Sequence, residues 1–219
     1  QMHKTVNNLL SIQNQLKELG FKNLNDPQII AVSKTFDIEN IHPLITHGQR
    51  HFGENKIQEA IDKWTTVKSE NPEIKLHMLG KIQTNKVKFL LPLFDYIHSL
   101  DSLKLAEKIA AEQVKKNKKI KIFIQVNFEN EIQKSGINKN SLENFYNECT
   151  ENFKLDIIGL MCLPPVNENP EKYFIELQHL ASNLSLKKLS MGMSNDYLIA
   201  AKCGSSFLRI GSNIFGSRS

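Results

Sequence analysis

Glycine and proline are scarce, at 10 and 7 of 219 residues, which excludes collagen-like and low-complexity architectures. The three cysteines, Cys149, Cys162 and Cys203, are odd in number, widely spaced and free of any Cys-x-x-Cys pair. Neither a disulfide framework nor a zinc site is therefore expected, and a reducing cytoplasm suits the chain. No basic-then-apolar leader opens the sequence, and no apolar run approaches the ~20 residues of a membrane-spanning helix. Lysine and arginine outnumber the acidic residues by 28 to 23. The excess, however, sits in short runs such as Lys115-Lys116 and Lys118-Lys119 with no aromatic residues between them, the pattern of a solvated helix end. Nucleic acid and membrane are not expected partners. His51, His77 and His98 lie in separate segments without carboxylates at ligand spacing, so they read as core or hydrogen-bonded histidines and no metal centre is expected.

What remains is an ordinary globular composition, 40% hydrophobic and 23% charged, of a length that one α/β barrel fills. Apolar residues at Val6, Leu9, Leu10, Ile12, Leu16 and Leu19 predict an opening helix with Gly20 closing it. After the turn Asn25-Asp26-Pro27, Ile29-Ile30-Ala31-Val32 reads as a buried parallel strand. Further strands are expected at 51–53, 75–79, 96–98, 121–126, 155–161, 188–190 and 207–210. Helices are expected at about 38–47, 56–67, 86–91, 103–114 (N-capped by Asp101), 141–149, 171–184 and 196–202. Eight strands alternating with helices predict an α/β fold, a single (β/α)8 TIM barrel over residues 1–219 with an extra N-terminal helix. An open doubly wound sheet is the alternative.

Such barrels carry their active face at the carboxyl ends of the strands. Lys34 follows the first strand, Gly53-Glu54-Asn55 the second, Gly80 the third, Gly192-Met193-Ser194 the seventh, and Arg209 and Gly211-Ser212 belong to the eighth. A lysine facing a barrel mouth forms a Schiff base with an aldehyde when desolvation favours its neutral amine; a snorkelling strand-end lysine is the other account. Gly211-Ser212-Asn213-Ile214-Phe215-Gly216 suits the short extra helix that cradles phosphate, with Ser194 a donor from the neighbouring loop, although glycine-containing turns serve structure equally. Arg209 is a permanent cation at the same mouth, or a salt-bridged barrel arginine. Against a pyridoxal ring it would donate to the pyridine nitrogen and take no proton from it, which makes the ring a weak electron sink.

Seven segments together carry a resemblance: Ala31-Val32-Ser33-Lys34-Thr35, Phe52-Gly53-Glu54-Asn55, Gly80-Lys81-Ile82-Gln83-Thr84-Asn85-Lys86, Lys134-Ser135-Gly136-Ile137, Gly159-Leu160-Met161, Leu189-Ser190-Met191-Gly192-Met193-Ser194, and Arg209-Ile210-Gly211-Ser212-Asn213-Ile214-Phe215-Gly216. In this order, over nearly the whole chain, the sequence resembles the YggS/PROSC family of pyridoxal phosphate homeostasis proteins. The resemblance implies a barrel like the N-terminal domain of alanine racemase. It implies pyridoxal 5′-phosphate (PLP) as cofactor, Lys34 as the Schiff-base lysine, Arg209 as partner of the pyridine nitrogen, and Ser194, Gly211 and Ser212 as the phosphate cradle. Asn55 matches the family's position beside the ring. The sequence departs from many relatives at Lys81, Cys162 and Ser212; the serine retains the hydroxyl, whereas Lys81 adds a cation near the mouth.

Three functions compete on these residues: a non-catalytic PLP carrier that buffers or delivers the cofactor to apo-enzymes, a PLP-dependent amino-acid racemase, and an aldolase-like enzyme using Lys34 directly. The carrier is the expected one, without catalytic residues. The chain ends soon after the eighth strand, so no second domain is expected to supply the tyrosine that faces the lysine in racemases of this fold. A monomer is expected for the same reason.

Overall fold

The computed structural model describes residues 2–23, 26–128 and 135–217. The strands are β1 (Gln28–Val32), β2 (His51–Glu54), β3 (Lys75–Met78), β4 (Tyr96–Leu100), β5 (Lys121–Asn127), β6 (Ile137–Asn138), β7 (Asp156–Cys162), β8 (Lys188–Ser190) and β9 (Phe207–Ile210). The helices are α1 (Lys4–Glu18), α2 (Ile38–His47), α3 (Ile57–Glu70), α4 (Val87–Leu90), α5 (Leu103–Lys116), α6 (Leu142–Asn147), α7 (Glu171–Asn183), α8 (Tyr197–Lys202) and α9 (Ser212–Phe215). All strand pairs are parallel, and β4 pairs with β5 as well as β3. The sheet therefore closes as β1-β2-β3-β4-β5-β7-β8-β9-β1, an eight-stranded barrel. Residues β6 adds lie beyond it, through Val126↔Ile137.

The eight expected strands are the eight of the barrel. Two local expectations change. Ser102, not Asp101, caps α5, its hydroxyl accepting from Leu105 N at 3.2 Å. Asp101 instead accepts from Gly136 N at 2.9 Å, which anchors the approach to β6. The helix expected at 141–149 begins as a 3-10 turn at Lys139–Ser141 and ends as a π turn at Glu148–Asn152. Lys134 and Asn25 lie outside the described residues. No helix among the described residues is long and apolar enough to cross a membrane.

Period-two alternation along each strand divides the apolar residues into two sets. Outward residues such as Ile29, Ala31, Phe52, Leu76, Ile97, Ile122, Leu208 and Ile210 meet the helices in one continuous core that includes Trp64 and Phe174. Inward, Ile30, Phe123, Met161 and Phe207 form a separate small cluster with Tyr96 and Ile158. The rest of the barrel interior is polar: His77, His98, Ser190 and Arg209 are all buried there, with His51 half-buried. Helix α1 buries Val6, Leu9, Ile12 and Leu16 against the barrel's outer layer and lies on α9 and α2. Asn8 Nδ2 donates to Ile214 O at 2.8 Å across that contact.

Strands β7 and β8 approach each other at Gly159, where a Cβ would stand 2.1 Å from Lys188 O and 2.8 Å from the Phe123 ring. The first obstacle is backbone and cannot rotate away. Gly159→Ala is therefore expected to destabilise the barrel by about 1–3 kcal/mol, the usual range for overpacking. Urea unfolding checks this, and an unchanged midpoint would show that the two strands have room to spare.

Candidate functional site

The six residues singled out as ligands in the sequence, Lys34, Asn55, Ser194, Arg209, Gly211 and Ser212, fall on or just beyond four contiguous strands, in the order β2-β1-β9-β8. Arg209 is paired in register with Ile30 and Ile210 with Ala31, so the end of β9 runs beside the strand that leads to Lys34. Strand order thus gathers residues up to 178 positions apart (Lys34 to Ser212) on one half of the mouth. Lys81, by contrast, is exposed, and Gly80 is fixed by packing: its Cβ would meet the Asn55 carbonyl at 2.5 Å, and its own carbonyl accepts from Ser99 Oγ at 2.6 Å.

Lys34 is half-buried one residue beyond the fully buried Ser33, and both its neighbours are clamped. Glu54 faces outward from β2, away from the barrel interior, and is fully buried under α3. Its carboxylate accepts from the Ser33 hydroxyl, from Trp64 Nε1 at 2.9 Å and from Lys63 Nζ at 3.1 Å. Lys63 also donates to Ser33 O at 2.8 Å and to Glu59 at 3.0 Å. Glu59 accepts from Thr35 N at 2.6 Å. Thr35 has φ 68°, a costly conformation for a β-branched residue that persists only where surroundings enforce it. Lys63, Trp64 and Glu59 were not read as site residues from the sequence. Spacing in α3 shows Lys63 and Glu59 as an i,i+4 pair, but not that the pair reaches back to β1.

Arg209 is 3% exposed. One terminal nitrogen donates to Ser190 Oγ and the other to Cys162 O at 2.9 Å. No carboxylate among the described residues forms an ion pair with it. Burial pushes its pKa down to about 10, so it remains a cation at neutral pH. Cys162 serves through its carbonyl, while its thiol is buried and pushed up to about 12 by desolvation. Behind Arg209 runs a column of rings: Ser190 Oγ to His98 Nδ1 at 2.7 Å, His98 Nε2 to His77 Nδ1 at 2.8 Å, and His77 Nε2 to His51 Nδ1 at 2.8 Å. Direct nitrogen-to-nitrogen contact leaves no room for an ion between the rings, and the described residues form no metal-ligand cluster. Desolvation holds His77 and His98 well below the ordinary imidazole pKa, and His51 at about 4.

The third part of the mouth is knit from two loops. Ser194 Oγ accepts from Asn213 N at 3.2 Å, and Ser194 O accepts from Asn213 Nδ2 at 3.0 Å. This brings Ser194 to the start of α9, where Gly211 and Ser212 lie. Gly192, at φ 99°, packs so closely that a Cβ would sit 2.5 Å from Ala200 Cβ. Phe36 stacks on Phe215 at 5.0 Å, joining the Lys34 loop to α9.

The chain resembles known proteins in sequence and fold. A family model described as "Alanine racemase, N-terminal domain" matches residues 8–219. A relative called pyridoxal phosphate homeostasis protein, from Aquifex aeolicus (strain VF5), is 35% identical over 203 residues, covering 89% of this chain and 88% of its own length. A protein of the same name from Escherichia coli (strain K12) is 30% identical over 229 residues, covering 99% and 98%. PipY of Synechococcus elongatus PCC7942, solved without PLP, superposes with a TM-score of 0.87 at 31% identity over 98% of this chain and 100% of its own. Its PLP-bound form gives 0.83 at 31% identity over 93% and 99%. An alanine racemase of Clostridium difficile 630, at 15% identity and TM-score 0.76 over 57% of its length, shares the fold.

The clamp around Lys34 has a measurable cost when opened. Glu54→Ala would leave the Lys63 ammonium, whose side chain is 8% exposed, without its buried partner. Breaking a buried pair in this way costs about 3–5 kcal/mol. A loss of unfolding free energy, read from urea denaturation, of less than half of that range would show that Glu59 alone suffices for Lys63.

Proposed function

The chain belongs to the pyridoxal phosphate homeostasis family, built on the alanine racemase N-terminal domain, and from this we propose that it binds PLP, with Lys34 as its covalent anchor. One observation carries the assignment of residues: a buried, donor-only cation, Arg209, stands on the strand beside the one that leads to Lys34, with no carboxylate among the described residues in ion-pair contact. Two of its five N–H groups are committed to Ser190 and Cys162, leaving donors for a ring nitrogen.

The donor set suits the cofactor at each end. Lys34 supplies an amine, Arg209 a hydrogen-bond donor, and Ser194, Gly211 and Ser212 supply hydroxyl and backbone N–H groups for a phosphate at the start of α9. Asn55, at the end of β2 and packed on Gly80, flanks the ring. When bound, PLP supplies an aldehyde that condenses with an amine with loss of one water. The chain's own part is to hold that amine still. Ser33 and Thr35 are tied on both sides of it, which fixes the backbone at Lys34.

The role proposed is cofactor buffering and delivery to apo-enzymes that use PLP, without turnover of amino acids. Arg209 is a cation at neutral pH and accepts no proton, so a ring nitrogen held by it would gain a hydrogen bond but no charge, which would support carbanion chemistry poorly. A racemase reading has only the fold behind it, since alanine racemase is 15% identical. A cytoplasmic monomer is the form proposed with this role, in keeping with the free thiols of Cys149, Cys162 and Cys203.

Borohydride reduction of the PLP-loaded protein, followed by peptide mapping, is expected to find the pyridoxyl group on Lys34 and to find none in Lys34→Ala. An adduct wholly on another lysine would sink the assignment. Absence of turnover is tested separately with L-alanine in deuterated water. No appreciable α-deuteration is expected, and rapid exchange with appearance of the D-isomer, lost in Lys34→Ala, would identify an enzyme instead.

A further inference from the structure

The column that backs Arg209 has a definite polarity. The guanidinium has only donors, so Ser190 Oγ accepts from Arg209. Ser190 is fully buried, and among the described residues its hydroxyl bonds, apart from Arg209, only to His98 Nδ1, at 2.7 Å. A buried hydroxyl proton without an acceptor is costly, so Ser190 donates to His98 Nδ1.

A neutral imidazole carries one proton. With His98 Nδ1 accepting, its proton is on Nε2 and is donated to His77 Nδ1 at 2.8 Å. His77 then carries its proton on Nε2 and donates it to His51 Nδ1 at 2.8 Å. The reverse order would strand the Ser190 proton. A break in the order would place two lone pairs or two protons against each other. A doubly protonated ring finds no uncommitted counter-charge among the described residues: Asp95 acts on His51, but its carboxylate already accepts from Lys68 at 2.6 Å and Leu76 N at 2.8 Å. Lys75 and Arg209 oppose positive charge at the two ends.

We infer that Arg209, through Ser190, sets one tautomer on all three linked histidines, so that His51, His77 and His98 each hold the proton on Nε2 and act together as a positioning column for the guanidinium. The geometry gives Ser190 and the histidines a purpose that mere packing does not: each ring's acceptor nitrogen faces the cofactor end, and Ser190 stays committed as an acceptor for Arg209. The significance for cofactor holding rests on reading Arg209 as the ring-nitrogen partner. The tautomers themselves do not.

Side-chain nitrogen NMR of the cofactor-free full-length chain, labelled with 15N-histidine, decides the matter at neutral pH. Expected are pyrrole-like Nε2 and pyridine-like Nδ1 resonances for all three rings. A proton on Nδ1 of any of them, or a histidinium signal, would overturn the inference. Ser190→Thr keeps the hydroxyl and should keep the pattern. Ser190→Ala removes the donor at the head of the column and should populate the Nδ1–H tautomer at His51, two rings away. A His51 signal unchanged in that variant would also overturn it. Should Ser190→Ala fail to fold, the wild-type and Ser190→Thr spectra still decide. Because the sample holds no cofactor, failure of the Schiff-base assignment at Lys34 leaves this result standing.

Discussion

A permanent cation inside a barrel is the constraint around which this molecule is arranged. Moving a guanidinium out of water costs several kcal/mol even after relaxation, and Arg209 is almost wholly buried. The interior meets that cost with neutral acceptors instead of a counter-ion: the Ser190 hydroxyl and the Cys162 carbonyl. Ser190 in turn requires an acceptor for its own proton, and three strands each contribute a histidine to pass that requirement across the interior. Phe123 and Phe207 pack around those rings, with His98 stacked on Phe123 at 4.5 Å. The polar column is thus enclosed by aromatic surface that keeps it dry and strengthens its hydrogen bonds.

Lys34 is treated in the opposite way. It stands at the rim, half-buried, and the investment lies in its backbone. The Glu54–Lys63–Glu59 cluster, buried behind β2, fixes the chain before and after the lysine without touching its amine through any of those bonds. Arg209 is immobilised by its side chain and Lys34 through its main chain. That division suits the proposed pair, in which one group would stay put while the other would form and release a bond.

The barrel was legible because its strands are short apolar runs between well-punctuated helices, and because alternation along a strand needs no knowledge of neighbours. Cross-element contacts were not legible. Asp101 looked like a cap since nothing in its local sequence shows Gly136 approaching from 35 residues away. Glu54 looked like a mouth residue because it stands between Gly53 and Asn55, yet strand parity turns it outward under Trp64. The two-residue β6 lacks enough sequence to have a period. The histidines were read as hydrogen-bonded, and they are; their mutual contact depends on register between β2, β3 and β4, which pairs Gly53 with His77 and His77 with Tyr96. Parity could have found them, since each occupies an inward position on consecutive strands.

The pairing of β1 with β9 joins the first and last strands of the barrel. Lys34 and Arg209 stand on either side of that seam, and Phe36 reaches across it to Phe215. Contacts so distant in sequence carry the largest loop-closure entropy and form late in folding. A ligand that engages both sides recognises only the closed cylinder, and by mass action each tenfold rise in its free concentration above Kd adds about 1.4 kcal/mol to the closed state. The joint most expensive to make is the one that such a ligand would rivet, so a loaded barrel would be shut more tightly than an empty one.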